Sequence, residues 1–373
     1  MKVLLYSHSF YPAIGGLETV SLTLAKGFIE NGIDVKVVTK TSGYESEQFS
    51  FKVIRNPLKK QRIALVKWAD IILFNGASLA LQPWILLFRK PFIWIHIGYQ
   101  VSCIDGLGWA DGKKAPLKPL PSFLYHYRLN GWKKGIKDGG KLLLRQIFAK
   151  YIVTKNIAIT KWMLEIQPLP RQIHIYNPFP ANQFSNNQTD DTHYDFLYLG
   201  RIVSEKGVAT LLKAFAKVYF SKKCSLRLLV IGDGDLKQKM EQLAKELTIS
   251  KAVIFTGKQT GQELRDWINK CRIAIIPSEW YEPMGVVALE LMAAGKNMIV
   301  AEKGGLKECV EDAGLYFPNG DEDALAVQMI RLLEDDSLRK LQVIKAKERV
   351  NEFLPSIFIS KYITLLKSVV NQN

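Results

Sequence analysis

Short apolar runs rich in β-branched and aromatic residues recur along this chain, separated by longer segments with apolar positions three or four apart. In the first half the runs are KVLLYS, DVKVVTK, DIILFN, PFIWIHIG, NIAIT and QIHIYN; in the second they are DFLYLG, LRLLVIG, AVIFTG, RIAIIPS and NMIVAE. Apolar runs of this length, bounded by turn residues, predict strands buried on both faces. Helical patterns between them predict parallel sheets with crossover helices. The helix after the first strand carries Leu17, Val20, Leu24 and Phe28 on one stripe and closes at Asn31-Gly32. PANQFSNNQTDDTH, from Pro180 to His193, is polar and aperiodic and reads as a linker. The pattern therefore gives an α/β chain of two Rossmann-like, doubly wound domains, residues 1–182 and 183–355. A last amphipathic helix over 356–373 follows, and packing back on the first domain is one destination that pattern alone does not decide.

Composition fits this picture: 373 residues, 48% of them hydrophobic, can bury two cores. The four cysteines, Cys103, Cys224, Cys271 and Cys309, are widely spaced, with no Cys-x-x-Cys and no clustered histidines. That argues against a structural zinc or a disulfide framework and for a reducing, cytoplasmic setting. The opening MKVLLYSHSF has an apolar run of only four residues before Ser7, too short for a signal-peptide core. LALQPWILLF, Leu79 to Phe88, falls short of a membrane span, so no integral membrane segment is expected.

Charge changes the picture. The net +16 is confined to one half: residues 1–180 hold 25 Lys and Arg against 10 Asp and Glu, while the remainder is nearly balanced. Residues 103–150 alone carry ten basic and three acidic side chains, interleaved with Trp109, Phe123, Tyr125, Tyr127 and Trp132. A basic, aromatic segment favours an anionic partner such as a lipid headgroup surface, an acidic substrate or a nucleic acid. A solvated loop without a partner is the plainer alternative.

Ligands of open parallel sheets bind beyond the carboxyl ends of the strands, and two such domains facing each other would make a cleft. Three stretches after strands carry candidate chemistry. In YPAIGGLETV, Gly15 and Gly16 open the first helix, where a backbone without side chains and unpaired N–H groups could receive an anion. In LGRIVSEKG, Arg201 and Lys206 follow the first strand of the second domain and could hold a diphosphate, one as a planar fork and the other as a point charge. In IIPSEWYEPMGVVALELMAAG, Pro283 and Gly285 keep Glu282 in a loop, and a helix follows from Val286 to Ala294. Glu282 and Glu290 stand eight positions apart; in continuous helix they would lie roughly 12 Å apart and about 80° off one face. That spacing is too wide for a shared proton or metal and suits two grips on one elongated ligand. The expected free N–H groups of Met284, Gly285, Val286 and Val287 would favour a phosphate between them.

Taken together, the GG after strand one, GRIVSEKG, IGDGD, PSEWYEPMGVVALELMAAG and KGGLKECV resemble family 4 of the retaining glycosyltransferases, which have the GT-B fold. The likeness covers nearly the whole chain, is close over 195–320 and looser over 40–180. It implies a nucleotide-sugar donor whose diphosphate is held by Arg201 and Lys206, whose ribose hydroxyls meet Glu290, and whose transferred sugar is held by Glu282 and the amides of Pro283-Met284-Gly285-Val286-Val287. Pro283 itself has no N–H and contributes backbone shape. The resemblance also places His96, in IWIHIGYQ, near the sugar, brings Gly16 toward phosphate and sugar, sets Gly257 and Lys258 beside the base, and matches Glu308 to a recurrent acid. Two positions depart from the family pattern. Met284 stands where an aromatic residue is common, and Ile97-Gly98 follows His96 where an Asp is frequent nearby, which leaves donor-sugar identity open.

Asp233-Gly234-Asp235 superficially matches a metal-binding Asp-x-Asp, but Arg201, Lys206 and a helix start already supply positive charge, so no metal or other cofactor is expected. Glu282 and Glu290 are unsuited to a double displacement, which leaves a same-face attack with retention as the expected route. The expected function is hexose transfer, from UDP-glucose first and GDP-mannose next, to a glycan or lipid-linked acceptor in polysaccharide assembly. The expected location is peripheral, at the cytoplasmic face of an anionic membrane. A sugar-nucleotide epimerase of the same fold is the alternative. A nucleic-acid module, suggested by charge alone, lacks any helix-turn-helix, RNA-binding or zinc signature.

Overall fold

The computed structural model describes residues 1–13, 15–43, 48–184, 193–222 and 225–372. Cys224 and most of the linker (185–192) lie outside the described residues. The chain forms two units: residues 1–110, 115–180 and 353–373 in one, and 111–114 with 181–352 in the other.

The first unit holds a seven-stranded sheet in the order Lys52–Arg55, Asp34–Thr39, Lys2–Ser7, Ile71–Asn75, Phe92–His96, Lys155–Ala158, Gln172–His174. All neighbours are parallel. Its central strands are buried along their length because Ile71–Asn75 and Phe92–His96 are apolar on both faces. Sequence pattern finds six of these strands and misses Lys52–Arg55, a four-residue edge strand with only two apolar positions. On one face, Tyr6, Phe74, Phe92 and Trp94 pack against Leu81, Ile85, Val101 and Ala149.

The second unit holds six parallel strands in the order Val253–Gly257, Leu228–Ile231, Tyr194–Leu199, Cys271–Ile276, Asn297–Ala301, Gly314–Phe317. Gly314–Phe317 is the strand that pattern misses, a short edge with one fully buried position. Chain direction across the sheet reverses between Tyr194–Leu199 and Cys271–Ile276. At such a switch point the loops leave the strand ends in opposite directions and open a crevice.

The last helix, Pro355–Asn371, belongs to the first unit. It crosses the helix Gly16–Glu30 at Gly27, where a Cβ would stand 2.4 Å from Ile359 Cδ1. Phe358, Ile359, Tyr362, Ile363, Leu366 and Val369 are buried. The stretch Asp336–Asn371 is long and apolar enough by composition to cross a membrane. It is nevertheless broken into two helices at Leu354-Pro355, and its final apolar stripe is used on the first unit.

Candidate active site

Within the second unit, the loops after Tyr194–Leu199 and Cys271–Ile276 flank the switch point and bring Lys206 and Glu282 together. Lys206 Nζ lies 2.8 Å from Glu282 Oε1, with both side chains largely covered. Ser278 Oγ donates to the same oxygen. Glu282 Oε2 has no protein partner among the described residues. The Lys206 ammonium also lies 5.4 Å from the centroid of the Trp280 ring. The Trp280 indole N–H is buried and finds no acceptor among the described residues. In this arrangement a cation, a carboxylate and an aromatic ring converge on one spot.

Backbone packing fixes these loops. Gly207 has φ +68°, and a Cβ there would come within 1.9 Å of the Pro277 carbonyl oxygen, so only glycine lets the two loops touch. The Glu205 carbonyl accepts the Glu279 amide at 3.0 Å, and Thr210 Oγ1 donates to Glu279 Oε1 at 2.7 Å. On the other side Gly305 donates its amide to the Glu282 carbonyl at 2.6 Å, and a Cβ on it would meet the Pro283 oxygen at 2.2 Å. The KGG of KGGLKE therefore braces the Glu282 loop by close backbone approach.

Glu290 sits in the second turn of the helix Val286–Ala293. Burial alone pushes its carboxyl up to about 8, and no protein group among the described residues hydrogen-bonds it. Sequence reasoning expects four free amides at this helix start; the structure corrects one of them. The Gly285 N–H donates to Cys309 Sγ at 3.3 Å, because Cys309 is buried directly against the loop. Val286 and Val287 are the first two helical residues, whose amides have no carbonyl one turn back. Pro283 and Met284 are buried in the loop, so Met284 contributes packing.

Arg201 reaches outward, its side chain 65% exposed, with one guanidinium nitrogen 3.3 Å from Glu205 Oε1. Gly257 ends its strand with φ +74° and accepts the Gly232 amide at 2.9 Å, and Lys258 beside it is exposed. Both stand at the same carboxyl edge of the sheet as Lys206. Arg349 donates to the Glu308 carbonyl oxygen. Asp233 Oδ1 accepts the amide of Gly234. Among the described residues no three His, Cys, Asp or Glu side chains converge as a metal site.

In the first unit, Gly15 and Gly16 open the helix Gly16–Glu30, and Glu18 folds back over that end. Its Oε2 lies 2.7 Å from where a Gly15 Cβ would be, so the chain's own carboxylate occupies the helix start. His96 ends its strand, is buried, stacks on Trp94 and shares a 2.8 Å hydrogen bond with Asn156 Oδ1. The Asn156 amide is spent on the Ala149 and Pro170 carbonyls, so His96 Nε2 carries the proton and donates. Burial pulls its pKa down to about 4, which keeps the ring neutral.

Residues 181–349 match the family model for glycosyl transferases, group 1. That stretch is similar to the group 1 glycosyl transferases. The match spans Arg201, Lys206, Glu282 and Glu290 alike. An uncharacterized glycosyltransferase of Methanocaldococcus jannaschii is 26% identical over 380 residues, covering 94% of each chain. The capsular polysaccharide biosynthesis glycosyltransferase CapM of Staphylococcus aureus is 25% identical, across 93% of this chain and 95% of its own. Among solved structures, Anabaena HepE in complex with UDP and glucose superposes with a TM-score of 0.74 at 18% identity, over 99% of both chains. Sucrose-phosphate synthase from Thermosynechococcus elongatus gives 0.75 at 18%, over 100% of both. These likenesses show the GT-B fold.

Sequence reasoning missed the site's supporting residues: Ser278, Trp280, Gly305 and Cys309. All four lie inside quoted motifs, but only their contacts reveal what they do.

Proposed function

We propose that the protein transfers a hexose from a nucleotide diphosphate sugar to a hydroxyl, with retention at the anomeric carbon and without a metal. The observation that carries this reading is the Lys206–Glu282 pair at the switch point, with the buried Glu290 carboxyl, unpartnered among the described residues, on the adjoining helix. As the bond from sugar to phosphate lengthens, negative charge grows on the leaving diphosphate. Lys206, Arg201 and the amides of Val286 and Val287 are the groups that stabilise it, at about 3 kcal/mol for a well-placed donor. Glu282 holds sugar hydroxyls through Oε2, and Glu290 accepts the ribose hydroxyls. Gly257 and Lys258 border the base.

UDP-glucose is the favoured donor, with GDP-mannose next; that HepE was crystallised with UDP and glucose supports the first. The first unit, with its basic surface, is the acceptor side in this reading, and His96 and Gly16 are its contributions to transfer. The acceptor is a glycan or lipid-linked glycan at the cytoplasmic face of a membrane. That the relative CapM is named for capsular polysaccharide biosynthesis supports such an acceptor.

Thermal-shift measurement against a panel of nucleotide sugars tests the donor, since tight binding raises the melting temperature. A shift with UDP-glucose that is lost in Arg201→Ala and Glu282→Ala is expected. Full transfer in either variant would remove the site, and activity restored after chelation only by magnesium or manganese would remove the metal-free mechanism. The anomeric configuration of the product, read by NMR, decides retention.

A further inference from the structure

The basic, aromatic segment of the first unit folds into a helical hairpin, Pro119–Asn130 and Trp132–Ile147, turned at Gly131. The two helices run antiparallel and close: a Cβ on Gly135 would stand 2.8 Å from Tyr127 Cα, and one on Gly139 would stand 2.5 Å from Phe123 Cδ2. Gly135, Gly139 and Leu142 thus face inward. Two arcs of the remaining circumference of the second helix stand out. Projected at its helical period, Trp132, Ile136, Leu143 and Ile147 fall within an arc of about 60°. Trp132 is 59%, Ile136 56% and Leu143 57% exposed. Lys133, Lys137 and Lys141 fall in the next arc of about 80°, with the half-exposed Leu144 among them. Tyr151, just beyond the helix, is also exposed, and Leu120, Leu124 and Tyr127 form an exposed stripe on the first helix. A soluble surface does not ordinarily line up bulky apolar side chains on an outward face.

The geometry points to this hairpin as the element that docks the protein on an anionic phospholipid bilayer, with the apolar stripe sunk into the headgroup boundary and the lysines on lipid phosphates. A helix with one apolar and one lysine-rich exposed arc lies in the interface plane, and long lysine stems let the ammonium reach the headgroups. Charge decides between occupants. A second copy of this chain would bring lysine stripe against lysine stripe on a protein of net charge +16, whereas an anionic bilayer complements both arcs. The inference deepens the membrane-side acceptor reading and rests on it for what docking delivers, although the surface itself is independent of the donor site.

Flotation of the full-length protein with mixed phosphatidylglycerol–phosphatidylcholine vesicles and with pure phosphatidylcholine vesicles tests it, with the UDP-glucose thermal shift measured in parallel. The expected result is binding to the anionic vesicles only. Partitioning should fall about tenfold in Ile136→Ser or Leu143→Ser and about fivefold for each of Lys133→Gln and Lys137→Gln, with melting temperature and nucleotide shift unchanged. Equal flotation of wild type and Ile136→Ser overturns the inference, as does wild type that floats with neither vesicle. A stable dimer in light scattering that Ile136→Ser dissociates also overturns it, because the stripe then belongs to a second copy. Anionic flotation without any nucleotide shift leaves the docking surface standing and removes the donor reading instead.

Discussion

Glu290 is a carboxyl group that burial holds mostly protonated near neutrality, at about 8 against an ordinary 4.5. The sign follows from the proton count. Between those values the folded chain keeps a proton that the unfolded chain has released, so stability falls as pH rises through the window. Ribose hydroxyls donate to the charged form and lower this pKa, so donor affinity should strengthen as pH rises toward 8 and then level. Glu290→Gln should abolish that slope, which calorimetric titration at several pH values reads. His96 works in the opposite sense. Its pKa of about 4 lies below the ordinary 6.5, so stability should be lost as pH falls through that interval, and His96→Gln should make acid unfolding begin at lower pH. Lys206→Ala should do two kinds of damage. It strips a partner from the largely buried Glu282 at a cost of about 3–5 kcal/mol, and it lowers kcat by about two to three orders of magnitude. Lys206→Arg keeps the charge and should recover stability more fully than rate. Trp280→Phe removes a buried N–H that has no acceptor among the described residues while keeping the ring, so unchanged or slightly raised stability is the expected outcome in thermal shift.

At the scale of elements, the site depends on loops braced by backbone contact. Gly207→Ala adds a Cβ against the Pro277 oxygen at a positive φ and should cost about 2–3 kcal/mol, read as a lowered denaturation midpoint. This dependence explains what the chain's letters disclosed. Strands such as Ile71–Asn75 and Asn297–Ala301 are continuous apolar runs and declare themselves; Lys52–Arg55 and Gly314–Phe317 lie at sheet edges, where half-polar residues suffice. The helix Trp132–Ile147 was invisible as a helix, since WKKGIKDGGK carries three glycines and its apolar stripe faces solvent instead of a core. Lys206 and Glu282 could be nominated from their places after strands, but their mutual pairing could not. It depends on a register set by Gly207 and Gly305, 98 residues apart in the sequence.

At the scale of the whole molecule, charge is partitioned: the basic excess lies in residues 1–180, while the rest is nearly neutral. Surface charge of this kind is screened by salt, so vesicle binding should weaken steeply with ionic strength while nucleotide binding at the partly enclosed Lys206 changes less. The helix Pro355–Asn371 carries a further expectation. Removing it uncovers the face of Gly16–Glu30 around Gly27 and forfeits six buried side chains, on the order of 10 kcal/mol by area. That is comparable to the entire stability of a domain, so the truncated chain should lose its first unit in a melting experiment while the second survives. Because those residues follow the whole second unit in sequence, the first unit cannot close its core until that unit has been synthesised. It must remain unfinished while the second unit is made, reversing the order in which multidomain chains generally fold.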